Sequence, residues 1–460
     1  MIAATAAYSR RIGVLLVAVL LALVFISCKK ENPVVDGGEN LDQLLLELIE
    51  EASGGQGAAF FLLPESNNYA AIPQDPNNPL NPAKVHLGKL LFHEPALGRN
   101  AAMPLLSTEE WSCATCHIAG AGFQANVPQG IGEGGVGFGI AGEARVKDPL
   151  YSVDWMDVQS TRSPSILNVA YQEVTLWNGQ FGSFDKNIGT ESRWTPGTPR
   201  EDNNFGYAGP EIQAIAGIRV HRSKVDMSLV EDYPEYAMLF EAAFPGVPLE
   251  VSVSREYAGL AIAAYERTVL ANKAPFQWWL RGDRSAMSRR EKQGALLFFG
   301  KAECVTCHNG PALAENDFHA LGMNDLQGHT VVSVIDALTT ASGRGGFTGL
   351  SDDDYKFKVP QLYNLKDSPF YGHGASFHSV KAVVEYKNSA LSQNPNVPEE
   401  QLSPHFKPLH LTTEEINDLV RFVEDALYDH QLQRYVPLDV PSGLCFPNND
   451  FQSQSDLGCF

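Results

Sequence analysis

Two pentapeptides, Cys113-Ala114-Thr115-Cys116-His117 and Cys304-Val305-Thr306-Cys307-His308, decide the reading of this chain. The Cys-x-x-Cys-His spacing brings two thiols and an imidazole together, the arrangement that captures a haem through two thioether bonds with the histidine as proximal iron ligand. Cysteines three apart share one face of a helical turn, so both sulfurs reach the same edge of the macrocycle. Other chemistries of paired cysteines fit less well. A zinc site wants four ligands at finger-like spacing, and a thioredoxin-like pair needs no following histidine. The chain is therefore expected to hold two c-type haems, one on Cys113, Cys116 and His117 and one on Cys304, Cys307 and His308.

The N-terminus says where such a protein works. Arg10 and Arg11 precede an apolar run from Ile12 to Ile26 that is short for a membrane span and ends at Ser27-Cys28. Residues 1–27 read as a lipoprotein-type signal peptide, with Cys28 as a lipid-bearing N-terminus on the membrane and residues 28–71 as a tether with a short helix over 41–52. Phe25 is an unusual residue three places before the cysteine, which leaves plain secretion and an uncleaved anchor open. The expected location is the bacterial periplasm or cell envelope. Of 7 cysteines, four go to haem and one to the anchor. Cys445 and Cys459 remain, and an oxidising compartment would pair them as a structural disulfide. The 460 residues carry a net charge of −20, which argues against nucleic acid as a partner and suits docking with a basic electron donor.

The expected fold class is all-α: two tandem cytochrome c-like domains, each with one covalently bound haem, plus long irregular loops. Tyr257, Leu260, Ala261, Ala264, Tyr265 and Thr268 recur at helical spacing behind Ser254 and predict a helix that opens the second domain. Capping boxes predict helix starts at Ser107 with Glu110, Ser288 with Glu291, and Thr412 with Glu415. The seven glycines of Gly130–Gly142 and the stretch from Gly182 to Tyr207 predict long loops, read either as a cover over the first haem or as plain insertions. One plan occurs twice: Leu87-Gly88-Lys89-Leu90-Leu91-Phe92 before the first motif and Gly294-Ala295-Leu296-Leu297-Phe298 before the second. The boundaries expected are 72–250 and 251–435 for the two haem domains, with a tail over 436–460.

With these pieces in order, the chain resembles the bacterial di-haem cytochrome c peroxidase family, which includes the di-haem enzymes that mature methylamine dehydrogenase. The matching segments are the repeated helix and both pentapeptides, Arg162–Asn168, Leu176-Trp177-Asn178-Gly179, Gly209-Pro210-Glu211-Ile212, Ala263–Thr268, Phe357–Asn364 and Phe370–Gly374. The resemblance implies a peroxidatic haem on His117, an electron-transfer haem on His308 and Trp177 as the aromatic residue between them. It also implies Glu211 as the distal acid that moves a proton between the oxygens of a peroxide. Each has a plainer reading: Trp177 as core packing, and Glu211 as a first-turn residue complementing its helix dipole. The partners implied are hydrogen peroxide and an electron-donor protein, a small cytochrome c or a cupredoxin. A homodimer and a calcium ion between the domains are further expectations, although carbonyl ligands leave no side-chain signature.

Three departures from the family pattern matter. No histidine lies between His117 and His221, so the first iron is expected to be five-coordinate, with Glu133 read as solvent-facing and His221 as a remote alternative. No methionine follows Met323 to serve as sixth ligand of the second iron. Tyr386 lies near that position and reads either as a phenolate ligand or as packing, with Lys387 an outside candidate. Gln180 stands where an arginine is usual. The activity implied is peroxide reduction by an exported enzyme. The alternatives are oxidation of a protein or organic substrate, and electron carriage without catalysis.

Overall fold

A computed structural model describes residues 38–328, 331–332 and 340–459. The signal segment and Cys28 lie outside the described residues. Among those described, eight helices have nine residues or more: α1 Gly38–Ala52, α2 Pro82–His93, α3 Gly209–Val220, α4 Glu235–Ala243, α5 Arg255–Thr268, α6 Arg289–Phe299, α7 Val380–Ser389 and α8 Thr413–Arg421. The strands are four two-residue pieces in two antiparallel pairs: β1 Gly135–Val136 with β2 Val146–Lys147, and β3 Phe318–His319 with β4 Phe357–Lys358. Between α2 and α3 the chain runs from Glu94 to Ala208 with only short helical turns and the first ladder, as the glycine-rich composition predicts.

Helix crossings organise the two halves in the same way. α2 packs on α5 and α6 packs on α8. A Cβ at Gly88 would lie 1.8 Å from the Ala261 carbonyl oxygen, and one at Gly294 would lie 2.0 Å from that of Asp418. Only glycine lets these backbones approach so closely. The repeated Gly-x-Leu-Leu-Phe segments thus each contribute a crossing glycine, followed by aromatic and aliphatic side chains for the core. Phe92 meets Tyr265 at 5.3 Å, and Phe298 meets Phe422 at 5.3 Å. One hydrophobic core runs through both halves, from Leu45 to Tyr435.

The helix at 255–268 forms behind Ser254 as expected, but it packs on α2 and α3. It therefore completes the first half instead of opening the second, and a boundary at residue 250 would separate it from its partners. The capping boxes of α6 and α8 are present at Ser288/Glu291 and Thr412/Glu415. No helix starts at Ser107, because Glu109 takes a left-handed φ of 59° that a helix cannot continue through. The tail is closed by the Cys445–Cys459 disulfide and packs under the first pentapeptide. There Ser112 Oγ donates to the Pro447 carbonyl at 3.0 Å, and a buried Arg145–Asp450 ion pair of 2.9 Å ties the glycine-rich loop to the tail.

Candidate functional site

Each pentapeptide forms a short 3-10 turn, Cys113–Thr115 and Cys304–Thr306, that ends two residues before its histidine. Thr115 and Ser112 cap the first turn reciprocally, and α6 runs almost directly into the second. The four cysteines are free thiols. Burial pushes Cys113, Cys116 and Cys304 up to about 12. His117 Nδ1 lies 3.3 Å from the Phe123 carbonyl, and His308 Nδ1 lies 3.1 Å from those of Leu313 and Pro360. An Nδ1–H donated to a carbonyl leaves Nε2 with its lone pair for a metal. Burial lowers both imidazoles to about 4, keeping them neutral and able to ligate.

Both sets of cysteines and both histidines line one continuous cavity of about 420 Å³. Trp177 lines it too, its Nε1 donating to the Arg162 carbonyl at 2.8 Å and its ring 6.3 Å from that of His373. A Cβ at Gly130 would lie 2.8 Å from Cys116 Sγ, so the glycine-rich loop passes directly over an attachment sulfur and does form part of the cavity wall. Two buried cations face the cavity without a carboxylate partner. Arg162 bonds to Gln124, the Ala125 carbonyl and Ser368, and its Nε has no partner. Lys358, on β4, bonds to Gln172 at 2.7 Å. Burial lowers Arg162 to about 10 and Lys358 to about 8. Unneutralised buried cations are costly unless an anion joins them. Thiols for thioethers, neutral imidazoles and unpaired cations that match propionates together fit covalently held haem.

Several expected residues sit elsewhere. Glu211 does not line the cavity. It is fully buried in a bidentate ion pair with Arg267, Nε to Oε1 at 2.8 Å and Nη2 to Oε2 at 2.5 Å, with Asn78 donating to Oε1 at 3.2 Å. Tyr386 also faces away from the cavity. Its hydroxyl donates to the Leu321 carbonyl, and its ring packs on Phe377 and Phe406 at 5.0 and 5.1 Å. Glu133 is fully buried, bonded to Arg222, Tyr151 and the Met103 amide, not solvent-facing. Gln180 bonds to its neighbour Asn178, and Arg344 supplies the guanidinium at this turn by donating to the Asn178 and Gly179 carbonyls.

The cavity brings in other groups. His221, just past the C-terminus of α3, lines it with Gln213 and Gly217, and its Nδ1 is 2.9 Å from Asp157 Oδ2. Burial disfavours its charged form, but Asp157 outweighs this and raises its pKa. Glu266 lines the cavity as well, one oxygen unpartnered, and burial pushes it up to about 8, so it is a neutral acid at pH 7. Helical spacing from Gln213 through Gly217 to His221 was the available signal for this wall, obscured by the attention that Pro210-Glu211 draws. No group of three or more His, Cys, Asp or Glu side chains able to hold a metal ion occurs among the described residues.

Comparison with known proteins agrees with this geometry. Residues 82–285 match the sequence profile of the di-haem cytochrome c peroxidases. The methylamine utilization protein MauG of Methylorubrum extorquens is 29% identical over 372 residues, which cover 80% of this chain and 83% of that protein. The cytochrome-c peroxidase IdrP1 of Denitromonas iodatirespirans is 29% identical over 394 residues, covering 81% and 88%. A solved MauG-like protein associated with microbial copper homeostasis superposes with a TM-score of 0.56 at 22% identity, covering 80% of this chain and 95% of that one, a likeness of fold. Residues 82–285 belong to the di-haem cytochrome c peroxidase family that includes MauG.

Proposed function

We propose that this protein is an exported, lipid-anchored di-haem peroxidase that reduces hydrogen peroxide to water with electrons from a small cytochrome c or cupredoxin. The observation that carries the reading is the single cavity onto which both Cys-x-x-Cys-His motifs and Trp177 open. Cys113, Cys116 and His117 would hold one haem and Cys304, Cys307 and His308 the other, in two cytochrome c-like domains divided after Thr268, with Arg162 and Lys358 facing propionates. The haems supply an open iron for peroxide and a store for the electrons it consumes. Reducing one peroxide to two waters takes two electrons and two protons, and the chain must deliver the protons to the O–O bond. His221 is the residue suited to this: Asp157 holds its Nδ1, and Nε2 is left to take and return a proton. Gln213 shares that wall and can orient a bound peroxide by hydrogen bonds. Trp177, which lines the same cavity, would carry electrons between the two sites.

A second reading, oxidation of a protein or organic substrate as MauG's name associates with methylamine utilization, is favoured by the absence of any methionine after Met323. One assay separates them. Purified protein with two haems per chain should oxidise a reduced small cytochrome c on addition of peroxide, and His221→Ala should lower that turnover by about 10²–10⁴-fold at unchanged haem content. Two bound haems with no peroxide-dependent donor turnover would overturn the peroxidase reading.

A further inference from the structure

The second attachment motif faces a wall built by α7. Four residues of that helix line the cavity: Val380, Val383, Val384 and Lys387. Their spacing of i, i+3, i+4 and i+7 is one continuous helical face. Three valines make it an apolar surface suited to the flat of a macrocycle, and the fourth position carries a primary amine. Lys387 has neither a hydrogen bond to protein nor a carboxylate partner among the described residues, unlike Lys301, Lys366 and Lys407, whose amines each reach an acid at 2.8 Å. Its charge acts on Cys304, Cys307 and His308, so it lies close to the attachment residues themselves.

We infer that Lys387 Nζ is the sixth ligand of the iron held by His308. The inference rests on the haem reading above. It assigns to Lys387 the place first considered for Tyr386, which lies one residue round the helix and spends its hydroxyl on the Leu321 carbonyl. Ligation needs the amine's lone pair, so the ammonium gives up its proton to water as the bond to iron forms. A nitrogen donor opposite His308 keeps this second iron closed to peroxide and places its potential below that of a His/Met haem, since a thioether favours the reduced state more than an amine does.

Besides His221, four other imidazole or thioether donors line the cavity; of these, His373 stacks on Phe357 with its Nε2 3.1 Å from Asp325 Oδ1. His319 has its Nδ1 on Ser403 at 3.1 Å and its Nε2 3.5 Å from Cys307 Sγ, which puts it beside an attachment sulfur. His405 packs edge-on against His319, with ring centres 5.7 Å apart. Met323 packs with the cluster around Tyr386.

The test is low-temperature electron paramagnetic resonance and near-infrared magnetic circular dichroism of the ferric two-haem protein, with haem counted independently. The wild type should show one low-spin haem with a His/amine signature. Lys387→Ala should abolish that signal, Lys387→Met should replace it with the charge-transfer band of methionine-ligated ferric haem and raise that haem's potential, and Tyr386→Phe should change neither. Two haems with a bis-histidine or His/Met signature in the wild type, or a low-spin signal that survives Lys387→Ala, would overturn this ligand assignment while leaving the di-haem reading intact. A haem count below two would overturn the underlying reading and this assignment with it.

Discussion

Replacing Glu211 by glutamine separates a structural acid from a catalytic one. The substitution keeps shape and removes charge from a carboxylate with no solvent exposure, whose partner Arg267 is itself 3% exposed. Breaking one side of a buried ion pair costs about 3–5 kcal/mol, because the surviving charge is left in the interior. Arg267 keeps the Pro73 and Ala170 carbonyls at 3.1 and 3.4 Å, and buried Lys84 also loses a favourable charge, so the loss should fall inside that range. With an unfolding entropy of roughly 2.1 cal/mol/K per residue over about 400 residues, ~4 kcal/mol lowers the melting temperature by about 5 °C. Glu211→Gln/Arg267→Met, which removes both charges, should melt above Glu211→Gln alone. The assay is thermal unfolding of the haem-loaded protein alongside peroxide turnover per folded molecule. Turnover at the permissive temperature should stay within a few-fold of wild type. A Glu211→Gln protein that melts like wild type but loses turnover by about 10²-fold or more would refute the reasoning and return Glu211 to the distal site.

Two further outcomes are expected. His93 is buried against Phe92, Tyr265 and Phe446, and burial lowers it from 6.5 to about 4. Because the unfolded chain takes up this proton before the native one does, the group's contribution to stability is complete above pH 6.5 and is lost as pH falls towards 4. The sum is ~3 kcal/mol over that window. His93→Phe should flatten this part of the acid-unfolding curve, and equal acid sensitivity in the two proteins would count against the shift. Arg162→Met and Lys358→Met each remove a cation facing the cavity, so bound haem should become easier to keep oxidised, by an amount equivalent to about 1–2 kcal/mol in potentiometric titration. Unchanged potentials in both variants would mean that neither cation faces a haem propionate.

The parts of this molecule that were legible in its sequence are those fixed by local chemistry or repetition. The pentapeptides open on one cavity, the Ser288/Glu291 and Thr412/Glu415 boxes start helices, and the two cysteines left over pair with each other. The repeated Gly-x-Leu-Leu-Phe has a physical cause in the two crossings at Gly88 and Gly294. The misreadings are tertiary. Ser107 and Glu110 satisfy a capping pattern, yet the left-handed Glu109 between them turns the chain into the cavity wall at Trp111. Glu211 lies about 120° round α3 from the centre of the face that Gln213, Gly217 and His221 present, and nothing local distinguishes an acid that meets Arg267 from one that meets a substrate. Tyr386 and Lys387 are neighbours in sequence, and only the register of α7 against its cavity separates packing from ligation.

Charge pairing inside this acidic protein adds a separate line of argument. Several buried or half-buried arginines that serve the fold are met by an acid, Arg145 by Asp450, Arg222 by Glu133, Arg267 by Glu211 and Arg434 by Asp429, while Arg344 is held by the Asn178, Gly179 and Lys186 carbonyls and the Asn187 amide oxygen. Arg162, Lys358 and Lys387 meet no acid, and all three line the cavity. With 54 acidic residues in the chain, a shortage of carboxylates is not the cause. The cations are kept where a bound group, not the protein, completes them. Their surroundings divide the roles. Arg162 and Lys358 sit among amide and hydroxyl acceptors that keep a charged donor solvated and leave hydrogen bonds for an anion. Lys387 sits at the end of a valine stripe with no acceptor for an ammonium, a setting that favours the neutral amine and a bond to metal over a bond to an anion.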